Sequence, residues 1–183
     1  AVTGTFSIQE EYASGMPVKG SLEGMLQPEQ ALFAISRLDA AVGKSKFLLS
    51  GTATNIWSNE RAASLSGNSE ILIAEMLGSL SESVVNQLEP DGIAQGEVEF
   101  NASMNELLFR GNLNIDQAGV TIPHVMRKER GTRAAFSAHG SYAYGGGLTI
   151  DNFDLTINGE PISGSARINS AREPWAQVSF QAE

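Results

Sequence analysis

The side chains able to do chemistry are few and scattered. His124 and His139 are the only histidines, and there is no cysteine. Neither histidine stands beside another histidine or a pair of carboxylates at metal-ligand spacing. His124 follows Pro123 where a strand gives way to a loop, and His139 alternates onto the polar side of a strand, so both read as surface or turn histidines. Asp151, Asp154 and Glu160 are close enough in sequence to suggest a calcium site. The run Asp151-Asn152-Phe153-Asp154, however, lacks the glycine and the bidentate glutamate of an EF-hand loop, and a turn is the simpler expectation. Gly145-Gly146-Gly147 is followed by no Lys-Ser/Thr and opens no helix, which makes it a hairpin tip rather than a phosphate loop. Serines abound, but no G-x-S-x-G occurs and no base can be assigned to any of them. Without nucleophile, base and orienter in one pattern, no enzyme, no cofactor and no metal site is predicted. Trp57 and Trp175 invite the idea of a sugar-stacking platform, although edge packing explains an aromatic near a strand end equally well. Arg127-Lys128-Glu129-Arg130 reads as a solvated charged loop, with contact to an anionic headgroup or partner as the sharper alternative.

The totals narrow the class. The chain has 183 residues, enough for one domain with a core. Its 12 Lys and Arg against 21 Asp and Glu give a net charge of -9. A surface of that sign repels phosphate backbones and anionic headgroups, so no nucleic-acid partner is expected. Burial of lipid tails is a separate matter that charge does not exclude. Charged residues are only 18%, their place taken by Ser, Thr, Asn, Gln and 19 glycines, a profile suited to an extracytoplasmic β-protein. No apolar run reaches the roughly 18–20 residues that span a bilayer. Both termini are strand-like, which predicts a piece of a longer protein.

The elements that would position any site come from hydrophobic period. Val2, Gly4, Phe6 and Ile8 alternate with Thr3, Thr5 and Ser7, turn at Ser14–Pro17, and are answered by Val18, Gly20, Leu22, Gly24 and Leu26, the pattern of a hairpin. Leu32–Leu38, Lys46–Trp57 and Arg61–Ser66 are further strands. The period then changes: Ile73, Met76, Leu77, Leu80, Val84 and Leu88 recur every three or four residues, an amphipathic helix near 73–88 with Asn68 or Ser69 as its cap and Pro90 beyond its end. Strands resume at Ala94–Ala102, Leu107–Ile115, Val120–Ile122, Arg133–Tyr144, Leu148–Ile150, Phe153–Ile157, Ile162–Ile168 and Trp175–Ala182. Short connections imply antiparallel neighbours. The chain divides into N-terminal strands (1–65), a helical insert (66–91) and a C-terminal strand repeat (92–183) within a single β-rich domain.

Several apolar faces place glycine or alanine between large residues, as in Leu22-x-Gly24-x-Leu26, Phe109-x-Gly111-x-Leu113 and Ile162-x-Gly164-x-Ala166. Small residues in mid-strand permit sharp curvature or close approach of another chain. The expected fold is therefore mainly β, a strongly curved antiparallel sheet forming either a groove or a sandwich-like body, with one amphipathic helix. On packing grounds alone a closed sandwich core is the simpler way to use the apolar faces.

The passages Glu89–Phe100 and Leu107–Pro123, with Gly-punctuated apolar alternation ending in Val120-Thr-Ile-Pro, resemble the β-repeats of the AsmA-like superfamily of the TamB/YhdP type. Lys128–Ala134 before a strand, Leu148–Ile157 and Ile162–Ile168 continue the likeness, which covers 66–183 and is thin over 1–65. The resemblance implies a periplasmic segment of a Gram-negative envelope protein anchored to the inner membrane. Its apolar β-groove would conduct phospholipid to the outer membrane, with no catalytic residues. It implies phospholipid acyl chains as partners, and other envelope proteins or neighbouring repeats of the same chain as further ones. Alternation places Phe100, Phe109, Leu113, Ile115, Phe136, Leu148, Leu155 and Ile157 toward the groove. A β-sandwich interaction or carbohydrate-binding module is the competing expectation.

Overall fold

The computed structural model describes residues 2–8, 17–80, 90–122, 126–169 and 175–182. The strands are β1 (Val2–Ile8), β2 (Val18–Gln27), β3 (Leu32–Val42), β4 (Ser45–Thr54), β5 (Ala62–Leu72), β6 (Asp91–Ala102), β7 (Glu106–Asn114), β8 (Ala118–Ile122), β9 (Met126–Lys128), β10 (Ala134–Ala143), β11 (Gly147–Ile157), β12 (Glu160–Asn169) and β13 (Trp175–Ala182). One helix, α1 (Ile73–Leu80), interrupts them. Eleven strands hydrogen-bond in the order β1-β2-β3-β4-β5-β6-β7-β10-β11-β12-β13, every step antiparallel, and the sheet does not close on itself. β8 and β9 leave this path: β8 pairs Gly119 and Ala118 with Asp91 and Gly92 at the start of β6, and β9 pairs β8.

The mainly β antiparallel fold is the expected one, but the sandwich alternative is not what forms. Among the described residues no second sheet packs on the first. Buried apolar side chains are accordingly few and small: Ile35, Leu49 and Val98, with Ala94, Ala118, Ala134 and Ala166. The 19.4 kDa chain exposes 11768 Å², against about 8,500 Å² for a compact monomer of that mass.

Two strands carry a bulge that alternation alone misreads. In β3, Ile35 pairs Gly51 and Leu38 pairs Leu49, so Ser36 and Arg37 together oppose Ser50. In β11, Ile150 pairs Ala166 and Phe153 pairs Gly164, so Asp151 and Asn152 together oppose Ser165. An extra residue shifts the phase of alternation by one. Phe33 and Ile35 thereby share a face with Leu38, Ala40 and Val42, and Leu148 and Ile150 share one with Phe153, Leu155 and Ile157. The expected turn at Asp151–Asp154 is thus a bulge inside one continuous strand, and the expected strand end at Leu38 is a point where β3 runs on.

The helix begins at Ile73 as its period requires. Its expected continuation to 88 lies outside the described residues, as do residues 14–16 of the first turn and Pro123–Val125. Asn68 and Ser69 do not cap the helix. They belong to β5, where Asn68 pairs Leu48 and Glu97, and Ser69 pairs Phe47 and Gly96, because pairing on both sides carries the strand through to Leu72. The Glu75 carboxylate accepts the Lys44 N–H at 2.7 Å, which fixes the first turn of α1 beside the β3–β4 turn.

Candidate functional site

Register sorts the strands into two chemically distinct faces. Successive cross-strand partners Leu22, Leu38, Leu49, Gly67, Val98, Gly111, Ala138, Phe153 and Gly164 form one row from β2 to β12. A neighbouring row runs Phe47, Ser69, Gly96, Leu113, Phe136, Leu155 and Ile162. Nearly every member of this face is apolar or glycine. The opposite face carries Lys19, Glu23, Asp39, Lys46, Glu70, Glu97, Glu99, Arg110, His139, Asp154 and Arg167. On that face Glu70 accepts from Gln95 at 3.0 Å and from Lys46 at 3.3 Å. The bond from Gln95, then that from Lys46, holds its carboxyl below the usual value.

The apolar face is the concave one. Phe47 and Phe100 lie two strands and four residues apart by register. On a flat sheet that diagonal would measure about 16 Å, from strand spacing of about 4.8 Å and rise of about 3.3 Å per residue. Their rings nevertheless meet edge to face with centroids 6.2 Å apart. Gly67 occupies the midpoint of the diagonal, its φ of +159° and missing side chain letting the sheet fold there. The two bulges bend β3 and β11 in addition.

Phenyl rings seat on glycines of adjoining strands. A Cβ at Gly24 would stand 2.8 Å from Cζ of Phe33, at Gly140 2.9 Å from Cζ of Phe109, and at Gly164 2.6 Å from Cζ of Phe153. These three glycines therefore have a packing reason: each leaves room for a neighbouring ring, and a carbonyl of the adjoining strand stands closer still. Phe136 and Phe153 add a stacked pair with centroids at 6.1 Å.

Of the residues placed toward a groove by alternation, seven fall on this face. Phe100 pairs Phe109, Leu113 pairs Phe136, Phe136 pairs Leu155, Leu148 pairs Tyr142 and Ile157 pairs Ala134. All seven are half-buried, screened by one another and by curvature but covered by no second layer of the described chain. Ile115 lies past the end of β7, where its N–H donates to Ala134 and its carbonyl accepts from Ala118 in the turn to β8. Alternation could not show that the strand ends before it. Leu65, Phe47, Phe33 and Phe153 belong to the face as well, Phe33 being hidden from a simple count by the β3 bulge.

The two rims of the sheet, where the strands end, differ. At one, α1 and the β8–β9 hairpin cover the strand ends. Lys128 is only 3% exposed. Its ammonium donates to the carbonyls of Ala118 at 2.7 Å, Asp116 at 3.4 Å and Glu129 at 3.4 Å. Burial lowers its pKa, opposed by Asp116 and Asp91. The Asp116 carboxylate accepts the Ala134 N–H at 2.6 Å, and this bond, followed by that from Asn114, holds it below the ordinary value. Arg130 pairs with Asp91 at 2.7 Å and Arg127 with Glu129 at 3.7 Å. The expectation of a uniformly solvated loop at 127–130 is therefore corrected at Lys128. A lysine inside a charged run gives no sequence sign of burial; what buries it is three converging carbonyls.

The other rim bears Trp57, Met104, Leu108, Tyr142 and Tyr144, all exposed, Trp57 at 68%. Trp57 stands in the β4–β5 loop, and six strands separate β4 from β13, where Trp175 begins; the two do not share adjoining strands. His139 is exposed on the polar face opposite Arg110 and Asn152, while His124 lies outside the described residues. No group of three or more His, Asp or Glu able to hold a metal occurs among the described residues, and no helix there is long and apolar enough to cross a membrane. Comparison with family models, curated proteins and solved structures finds no match to this chain.

Proposed function

We propose that this chain is a non-catalytic segment of an AsmA-like envelope protein that carries phospholipid between membranes, with acyl chains lying along the concave apolar face of the sheet. The observation that supports the reading is one continuous apolar face, from strand to strand between β2 and β12, with no layer of the described chain upon it. The eight inter-strand steps from β2 to β12 give the face a length of about 38 Å, more than twice the depth of one bilayer leaflet, about 15 Å. Each methylene removed from water there contributes about 0.8 kcal/mol, so a lipid tail is a strongly favoured occupant. The polar outer face keeps such a segment in solution, which suits a periplasmic setting. Glycine and phenyl-on-glycine packing make a largely apolar floor, on which the Ser69 hydroxyl is turned to the Gly96 carbonyl at 3.3 Å, as conduction rather than capture requires.

Native mass spectrometry and lipid extraction of the purified chain test this. Phospholipid should accompany the wild-type protein, and Phe109→Asp or Phe136→Asp, each placing a carboxylate mid-face, should reduce bound lipid at least tenfold. A chain that folds, carries no lipid and takes up none from vesicles would sink the proposal.

A further inference from the structure

We infer that the bare rim is a ledge that docks on a bilayer of zwitterionic phospholipid, from which lipid passes sideways onto the concave face. Seven large apolar side chains are exposed among the described residues, and six of them lie at this rim: Met25, Trp57, Met104, Leu108, Tyr142 and Tyr144. The seventh, Leu48, stands within β4. Each described hairpin that turns at this rim presents at least one of them. Met25 lies two residues before the end of β2, Trp57 in the β4–β5 loop, Met104 in the β6–β7 turn and Tyr144 in the β10–β11 turn. The four hairpins are tied to one another in order. The Ile56 N–H donates to the Ala31 carbonyl at 3.2 Å, the Arg61 Nε–H donates to Met104 Sδ at 3.2 Å, and the Tyr144 N–H donates to the Asn105 carbonyl at 3.1 Å. Bonds from turn to turn make the row one preformed ledge.

Spacing selects a fluid partner. Consecutive hairpins at the rim are two inter-strand steps apart, about 10 Å along the sheet, and polar Ser58, Asn59, Ser103 and Asn105 stand among the apolar groups. A folded protein buries a contiguous apolar core, whereas a fluid bilayer closes around each side chain separately. Tryptophan and tyrosine, each an apolar body with a polar edge, are the side chains that settle at headgroup level. Charge narrows the lipid. These turns and the strand ends beside them carry Glu29, Glu60 and Glu106 against Arg61, with no lysine, so anionic headgroups are repelled and zwitterionic ones are not. The ledge is also continuous with the floor. Tyr142 pairs Leu107 and Leu148, and its ring meets that of Tyr144 edge to face with centroids 6.0 Å apart. Resting on the lipid-carrying reading above, this pair is the step by which a tail leaves the bilayer and reaches the concave face without losing apolar contact.

Fluorescence of the full chain carrying Trp175→Phe, in which Trp57 is the one tryptophan left, tests the docking. Phosphatidylcholine vesicles should shift its emission to the blue, and brominated tails should quench it. In flotation with the same vesicles, Trp57→Ser combined with Met104→Ser should weaken binding about tenfold or more, with the urea midpoint little changed. Adding phosphatidylglycerol to the vesicles should weaken binding by the wild-type chain. An emission that vesicles leave unmoved, binding undiminished in the double variant, or binding that rises with phosphatidylglycerol would overturn the inference. The lipid-carrying reading fails separately. The double variant leaves the floor intact and should take up phospholipid from detergent micelles as the wild type does. A chain that docks through Trp57 but holds no lipid keeps the ledge and loses the carrying role; one that holds lipid without docking loses the ledge alone.

Discussion

The two rims of the sheet solve the same problem, how to finish a row of strands, in opposite ways. At the rim bearing α1 and β8–β9, polar groups are drawn inward and satisfied: Lys128 by three carbonyls, Ser45 by the Leu72 N–H at 3.0 Å, Asp116 by the Ala134 N–H. At the opposite rim Ser103 closes the β6–β7 turn by bonding Glu106, and large apolar groups are exposed. The difference teaches that buried polar pairing is gathered at one end of the strands and exposed apolar groups at the other. The covered rim locks the β6–β7–β10 centre of the sheet, and the bare rim leaves the apolar face accessible.

The comparison can be broken most sharply at Lys128. Lys128→Met keeps the stem but orphans carbonyls that received charged hydrogen bonds, and urea unfolding should show a loss of about 1.5–3 kcal/mol. Ser45→Ala removes the acceptor of a buried N–H at the same rim and should cost about 1 kcal/mol by the same measurement. pH titration of stability should separate two groups. Because the Asp116 carboxyl is held low in the folded state, its contribution is present above the ordinary carboxylate value and fades as pH falls through the lowered one; Asp116→Asn should flatten that acid limb. Lys128 has the opposite sense at alkaline pH. Its lowered folded pKa means that the unfolded chain binds more protons between that value and the ordinary lysine value. Stability should therefore rise with pH across that interval in the wild type and not in Lys128→Met. The smallest effect belongs to the bare rim: Trp57→Ala, at a site 68% exposed, should shift stability by no more than about 0.5 kcal/mol.

Much of this architecture is written in alternation. β2, β4, β6, β7 and β10 follow the period-two pattern without interruption, and the residues of the apolar face can be read from it one strand at a time. The pattern fails where a second residue enters the count. At Ser36-Arg37 and Asp151-Asn152 the apolar phase slips by one, which resembles a strand ending and is in fact a bulge. Such slips are themselves a signal, since Leu148 and Ile150 rejoin Phe153, Leu155 and Ile157 only if an extra residue intervenes. What alternation cannot carry is the number of layers. A strand with one apolar face looks the same whether that face meets another sheet, as in the expected sandwich, or none. Lys128 was equally illegible, because the carbonyls that hold it come from Asp116, Ala118 and Glu129, brought together only by the β8–β9 excursion.

The order of the strands has a consequence for how the protein folds. Except where β7 bonds β10 and β6 bonds β8, each strand bonds only to those next to it in the chain, so almost every contact closes a short loop and folding can spread hairpin by hairpin from any starting point. With no second layer tying distant strands together, opening begins at the edges and advances inward. Amide exchange measured in the native state should thus decline in protection from β6 and β7 toward β1 on one side and β13 on the other, a gradient rather than a single cooperative step.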